Sequence, residues 1–451
     1  MKKNKKKEFI IIGIFLLVLL ILFLILNWFS PMLLWDENVY LGNARSHISN
    51  SAFTEDFRFP LLEYLIAFAW FFSGESIFIA QLIIILFSLA SVFFLYLISK
   101  RFFSERFSFL LCFFFALCPL ILFWGFRAYA DIPAMFFVIL SFYFLLKSEK
   151  NNKIIFLALA GFVAALAFLT RFPTALFALS AGLYFIFKKR FKDLGIFTLF
   201  FIVALLPWLT CNYLSYGNFI WDLQEQYLVI SKWTSSEPII KQITNLFVYI
   251  NFLIPLLLLL GIYVTIRKNE KFNLLILIYV ILSFIYYLFF VRLKDARYYL
   301  TFLPFIYLIS FQGLYYLKKK KIFRYVFMIL IIILVLNTVF IFGYLAGKNY
   351  CEKNSSITQS INYLKGEVDV DDVVLSNVWP WFGYHLNVKV FSLWDKNIGI
   401  LLETYEPVYV VYCDGLGIEY EKEILDNSTN LKLEQVFRGR CGEKVYIYRV
   451  I

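Results

Sequence analysis

Residues 9–40 read FIIIGIFLLVLLILFLILNWFSPMLLWDENVY. An apolar run of membrane length, Phe9 to Trp28, passes through a short connector into Trp35-Asp36-Glu37-Asn38-Val39-Tyr40. About 20 apolar residues at a helical rise cross a hydrocarbon core of roughly 30 Å. The run therefore predicts a transmembrane helix, and the two adjacent carboxylates sit at the edge of a bilayer. Charged groups there are costly and rare, which makes them functional candidates. The plainer reading is that Asp36 caps the helix that follows. The lysines at positions 2, 3 and 5–7 ahead of the run imitate a signal peptide. The run is too long for that and no small-residue cleavage site follows, so the expectation is a retained first span with a cytoplasmic N-terminus.

Outward from that stretch, the whole chain has the same character. Of 451 residues 61% are hydrophobic and 21% aromatic, which excludes a soluble globular domain. Mean hydropathy is +0.75. Net charge is +12, but its placement argues against a nucleic-acid partner. Residues 348–451 hold 11 Lys/Arg against 15 Asp/Glu, while the preceding part holds 32 against 16.

Polar punctuation divides the apolar sequence into 11 spans, near 9–28, 77–98, 107–124, 132–147, 154–170, 174–187, 195–215, 244–266, 272–291, 298–317 and 325–346. The turn Arg171-Phe172-Pro173 separates two short ones, since Pro interrupts a helix. One alternate set of short loops, including the N-terminal lysines, Lys188-Lys189-Arg190, Lys271 and Lys318 to Arg324, carries 23 Lys/Arg; the opposite, longer set carries 9. By the positive-inside rule the first set is cytoplasmic. The other face then holds residues 29–76, the turn 125–131, the Arg171 turn, residues 216–243, Arg292 to Arg297 and everything beyond 346. Within 29–76 there is room for one or two interfacial helices. The expected organisation is an all-α polytopic membrane domain over 1–346 and a small extracytoplasmic α/β domain over 347–451. In the latter, short β-like runs (Val373-Val374-Leu375, Val408 to Tyr412, Val445 to Tyr448) alternate with helix-like stretches, the first near Ile357 to Lys365. Sequons at Asn354 and Asn427 agree with an external location.

Cys112, Cys118 and Cys211 lie in or near spans, as small apolar fillers. Cys351, Cys413 and Cys441 are external and permit one disulfide; Cys413–Cys441 is one pairing, and spacing does not choose between them. No metal-ligand signature occurs and the only histidines are His47 and His385. No cofactor is required. Two or three acids suffice to hold a divalent ion, but nothing in the spacing demands one.

Three groups converge on the outer face: the 29–76 loop with Asp36, Glu37, Arg45, His47, Asp56 and Arg58; the turn Arg127 to Pro133 with Asp131; and Arg292 to Tyr299. Arginines grip a phosphate bidentately. A nearby carboxylate can take the proton of an acceptor hydroxyl as it attacks a sugar carbon, and the lipid phosphate leaves with its charge neutralised. Each element has a plainer reading. Arg127 and Arg171 can snorkel at the interface, Asp131 can cap a helix, and His47 suits a loop better than a metal. The Arg292–Arg297 cluster is harder to dismiss, because the charge rule leaves that face poor in basic residues.

These residues carry a resemblance. Trp35 to Tyr40 through Ala44-Arg45, then Phe57-Arg58-Phe59-Pro60-Leu61, resembles the first external loop of the GT-C glycosyltransferases, most closely the protein O-mannosyltransferase and aminoarabinose-transferase branch. Arg127 to Pro133 resembles its second acidic motif, Leu166 to Arg171 its Gly-Leu-Ala-Leu-Thr-Lys-like stretch, and Arg297-Tyr298-Tyr299 with Pro304 its Arg-Tyr…Pro segment. Arg58-Phe59-Pro60 replaces the commoner Lys-Pro-Pro. The resemblance spans about residues 9–317 and implies an inverting transferase moving a hexose or pentose from a dolichyl or undecaprenyl phosphate to an acceptor hydroxyl on a protein, lipid or glycan, at the extracytoplasmic face of the cell membrane. It implies Asp36 as catalytic base, Glu37 and Asp131 in support, and Arg58, Arg127, Arg171, Arg297 and Tyr298 for donor phosphate and sugar. The rival class is a transporter or lipid flippase, which would line a path at mid-membrane with ionisable groups. Here the spans are nearly free of acids. A non-enzymatic anchor does not need 11 spans.

Overall fold

The structure is a computed structural model that describes residues 2–30, 32–49, 51–151, 153–233, 237–268, 273–352, 355–393, 397–415 and 420–451. Two features named above, Lys271 and the sequon at Asn354, lie outside the described residues. The chain forms two compact units: 1–26, 57–62 and 81–342 in the first, and 27–56, 63–80 and 343–451 in the second.

The first unit is helical. Among the described residues, six helices of the chain are long and apolar enough to cross a membrane, from Lys7–Trp28 to Ile322–Cys351, with four shorter apolar helices beside them. Each of the 11 expected spans falls largely on helical sequence among the described residues, and two mid-span breaks have local reasons. The 107–124 span becomes Glu105–Ala116 and Pro119–Trp124, because Pro119 has no N–H to continue the ladder. The 244–266 span becomes Ile239–Ile250 and Leu253–Lys268, turned by 99° at Asn251, whose φ is 88°. The helix Ile154–Thr170 matches its expected bounds, after which Arg171 is extended and Phe172–Thr174 forms one 3-10 turn before Ala175–Phe187.

Small residues set the closest crossings, as helix packing in lipid favours. A Cβ on Gly161 would lie 2.2 Å from the Phe197 carbonyl oxygen, and one on Gly261 would lie 2.0 Å from that of Ile309. Outward faces carry exposed Phe, Ile and Leu throughout, for example Ile14, Leu199 and Phe340, as a lipid-facing surface requires.

The second unit contains a five-stranded sheet of order β2-β1-β3-β5-β4, with β1 Val373–Ser376, β2 Lys389–Ser392, β3 Tyr409–Cys413, β4 Leu431–Arg438 and β5 Lys444–Val450. The first three strands are parallel, and β5 and β4 are antiparallel additions. All five residues of β3 are buried, as expected of a central strand covered on both faces. One apolar layer contains Leu375, Val410 and Tyr448 under the helix Ile398–Tyr405. The other contains Val374, Val411, Ile447 and the helix Trp379–Leu386, and it takes in Val39 and Phe53 from the 27–56 segment. A disulfide joins Cys351 to Cys441. The Cys413–Cys441 alternative is thereby corrected: Cys413 points into the core from β3 and is a buried free thiol. Asn427 is exposed on a turn.

Candidate active site

In the first unit, four of the expected site residues meet at the ends of helices. Asp131 opens the helix Asp131–Asn151 and is fully buried. Its carboxylate takes a forked contact from Arg171, Nε to Oδ1 at 3.0 Å and Nη1 to Oδ2 at 3.1 Å. Burial works against the charge of Arg171, but the Asp131 carboxylate outweighs it and raises the guanidinium above its ordinary value. Arg171 reaches Asp131 because the extended backbone at Arg171 interrupts the helix there. The Arg171-Phe172-Pro173 turn is thus the device that presents this side chain.

Arg297 belongs to the same cluster. It sits in the 3-10 turn Ala296–Tyr299, whose N-cap Asp295 accepts from the Arg297 backbone N–H and pairs with its Nε at 3.1 Å. Both guanidinium groups lie against one ring, Arg171 at 5.2 Å and Arg297 at 5.7 Å from the centroid of Tyr298. Tyr129 and Trp124 complete the wall around Arg297, at 5.1 and 5.9 Å. Tyr298 stacks in turn on Tyr287 at 5.3 Å, and Tyr287 lies in the π-helical turn Tyr286–Phe290. Such π turns recur at functional sites. Stacked rings against two cations make a cluster whose chemistry suits anionic or sugar groups.

Arg127 lies in the turn that delivers Asp131 and is 1% exposed, with its guanidinium 4.7 Å from the Phe123 ring and 5.3 Å from that of Phe126. It is buried and does not snorkel. Arg58 is half-buried, 5.4 Å from the Phe57 ring. The next residue, Phe59, packs on Phe168, Phe172 and Trp208, and so ties the Arg58 segment to the Arg171 turn. Lys294, one of the basic residues that the charge rule left unexplained, has a structural task. Its buried ammonium donates to the carbonyls of Tyr287, Leu288 and Val291 and caps that helix end.

Asp36 and Glu37 belong to the second unit. They lie in the first turn of the helix Trp35–Ser46, where negative charge complements the helix dipole, and both are buried. The cap is made by Glu37, whose Oε2 accepts from the Leu34 N–H at 2.8 Å. A capping contact of the kind offered above as the plainer reading of Asp36 is made by its neighbour. A polar network surrounds the same helix. Asn43 donates to Glu63 Oε2 at 2.8 Å and to the Glu55 carbonyl at 3.0 Å, and Glu63 Oε1 lies 3.2 Å from His47. Among the described residues, no group of three or more His, Cys, Asp or Glu side chains is placed to hold a metal ion.

Sequence reasoning missed Trp124, Tyr129 and Tyr287 in the first unit and Glu55, Trp379 and Trp381 in the second. Their signal is faint in a chain with 55 Phe, 30 Tyr and 10 Trp. The sequence Trp379-Pro380-Trp381 was the one usable cue.

Residues 58–211 match the family model described as dolichyl-phosphate-mannose-protein mannosyltransferase, a stretch that includes Arg58, Arg127, Asp131 and Arg171. No curated protein matches the chain by sequence. In fold, it is similar to ArnT from Cupriavidus metallidurans, solved both in the apo state and bound to undecaprenyl phosphate, with a TM-score of 0.73 at 11% identity over 96% of this chain and 97% of that one. It is also similar to the oligosaccharyltransferase of Archaeoglobus fulgidus tethered to an acceptor peptide, with a TM-score of 0.59 at 14% identity over 88% of this chain and 68% of that one. The sequence match within the helical unit and the fold match over nearly the whole chain agree: the chain has the GT-C fold, and residues 58–211 are similar to a family of membrane mannosyltransferases.

Proposed function

We propose that the protein transfers a sugar from a polyprenyl-phosphate donor to an acceptor hydroxyl on the extracytoplasmic face, with inversion at the anomeric carbon. The observation that carries this reading is the Arg171–Asp131 pair with Arg297 beside it, all set against Tyr298. Two guanidiniums fixed on one ring suit a phosphate that must shed its sugar while gaining charge. Undecaprenyl phosphate bound in the similar ArnT fold supports a carrier of that class.

In the reaction, Asp36 accepts the proton of the acceptor hydroxyl as its oxygen bonds to the anomeric carbon. The bond from that carbon to the phosphate oxygen breaks, and its electron pair leaves with the lipid phosphate. Arg171 and Arg297 hold the phosphate, with Arg127 and Arg58 as further cations and Tyr298 as the platform. Asp131 keeps Arg171 in its forked orientation. Glu37 supports Asp36 by fixing the start of its helix. The sidedness rests on charge: 23 Lys/Arg in one set of loops against 9 in the other.

The test is transfer of labelled sugar from undecaprenyl-phosphate mannose, undecaprenyl-phosphate aminoarabinose and dolichyl-phosphate mannose in membranes expressing the chain, with Asp36→Asn in parallel. Loss of about 10²-fold or more in the variant supports the general-base role. Equal rates remove Asp36 as the base.

A further inference from the structure

We propose that Trp379 and Trp381, in the C-terminal α/β domain, are positioning residues for transfer: they fix the start of the Trp35–Ser46 helix and hence the Asp36 carboxylate. This rests on the reading of Asp36 as the base.

The contacts bracket the helix on several sides. Trp35, the residue before Asp36, meets the rings of Trp379 and Trp381 edge to face, at 4.5 and 5.4 Å. Trp381 Nε1 donates to the Leu33 carbonyl at 3.0 Å, two residues ahead of Trp35, and Trp379 Nε1 donates to Glu55 Oε1 at 2.8 Å. At the far end of the helix, Arg45 donates to the Tyr384 carbonyl at 2.7 Å and lies 4.4 Å from the Tyr384 ring. Phe53 is wedged between the two helices: a Cβ on Gly42 would lie 2.7 Å from its ring, and one on Gly383 would lie 2.2 Å from it.

The place of these contacts in the sheet gives them meaning. In an open α/β sheet of order 2-1-3, ligands enter the crevice at the carboxyl ends of β1 and β3, where the connections diverge. Here Asn377 closes that crevice, donating to the Cys413 carbonyl at 2.9 Å and accepting from the Cys413 N–H at 2.8 Å. The helix Trp379–Leu386 starts two residues later. The domain thus devotes the end where such folds bind ligands to gripping the segment that bears Asp36. Misplacing a catalytic group by about 1 Å can cost on the order of 10²-fold in rate, and ring packing with indole N–H bonds is a rigid way to prevent it.

The test uses the full chain with the three labelled donors named above, rates being taken per mole of monodisperse protein. Trp381→Ala should lower the maximal rate by about 10²-fold, while the donor concentration giving half that rate stays within about twofold. Trp381→Phe returns a ring and should recover part of the loss, which a generally destabilised protein would not do at equal folded mass. Trp379→Phe, which removes the indole N–H bond to Glu55 and keeps an aromatic ring, should lower the rate by about tenfold. Should Trp381→Ala fail to fold, the two Phe variants decide alone: wild-type rates in both overturn the proposal. It is overturned separately from the base reading if Asp36→Asn is inactive while Trp381→Ala and Trp379→Phe transfer normally. If Asp36→Asn is fully active, the base reading falls and the positioning role falls with it.

Discussion

The arginine cluster of the helical unit and the Trp35–Ser46 helix of the second unit both bury charge, but they hold it differently. In the first, Asp131 and Arg171 neutralise each other at 3.0 and 3.1 Å with aromatic rings around them. In the second, the carboxylates of Glu37, Glu55 and Glu63 accept from a backbone N–H, an indole N–H and an amide, and the His47 ring lies 3.2 Å from Glu63. The ion pair fixes the orientation of a guanidinium that can turn a free edge to an anion, whereas the hydrogen-bond network fixes the helix that bears a carboxylate. The first arrangement suits holding a phosphate and the second suits aiming a base.

The largest effect that separates the two regions comes from the ion pair. Asp131→Ala leaves Arg171 buried without its carboxylate and should cost about 3–5 kcal/mol of stability together with nearly all transfer. Replacing both residues by Leu should recover most of the stability and none of the transfer, as detergent-solubilised melting curves and labelled-sugar assays would read. Recovery of transfer would show that the pair only supports the fold.

In the second unit the Cys351–Cys441 bridge closes a long loop, with a sequence separation of 90 residues. Cys441→Ser should lower the stability of that unit by about 4 kcal/mol under oxidising conditions, and reduction of the wild type should reproduce the shift. A smaller loss, about 1–3 kcal/mol, is expected for Gly383→Ala, because the added methyl meets the buried Phe53 ring. Limited proteolysis between the two helices would report the loosened joint.

An effect of similar size is a pH dependence. Burial first, then the nearby positive charges of Lys365 and Arg45, pull His385 down to about 4 from its ordinary 6.5. The unfolded chain therefore binds a proton in this range that the folded unit rejects. Stability from His385 is full above about pH 6.5 and is lost as pH falls toward 4, by about 2 kcal/mol in a half-buried setting. His385→Gln should flatten that limb in thermal melts at pH 4–7.

The contrast also explains what the sequence made legible. The apolar helices and the Asp131, Arg171 and Arg297 cluster follow from hydropathy and from charges out of place, and these are one-dimensional signals. Arg171 was readable because Pro173 broke a helix beside it. The joint around Trp35 was not readable, since Trp381 and Leu33, like Trp379 and Glu55, lie more than 300 residues apart and pair through shape and indole hydrogen bonds. The strands β2 and β4 were also passed over: β2 is only four residues long and β4 is largely solvent-facing, so neither has the apolar run that marked β1, β3 and β5. The disulfide was undetermined for the same reason, because only the fold shows Cys413 facing inward.

The central claim is that donor phosphate and catalytic base belong to different regions, and a comparison of Arg297→Ala with Asp36→Asn across a donor titration tests it most directly. The account predicts that Arg297→Ala raises the half-saturating concentration of undecaprenyl-phosphate mannose by about 10- to 10²-fold, the loss of one charged contact. Asp36→Asn should leave that concentration unchanged and lower the maximal rate. If Asp36→Asn instead weakens donor saturation while Arg297→Ala leaves it untouched, the assignment of the two regions is wrong.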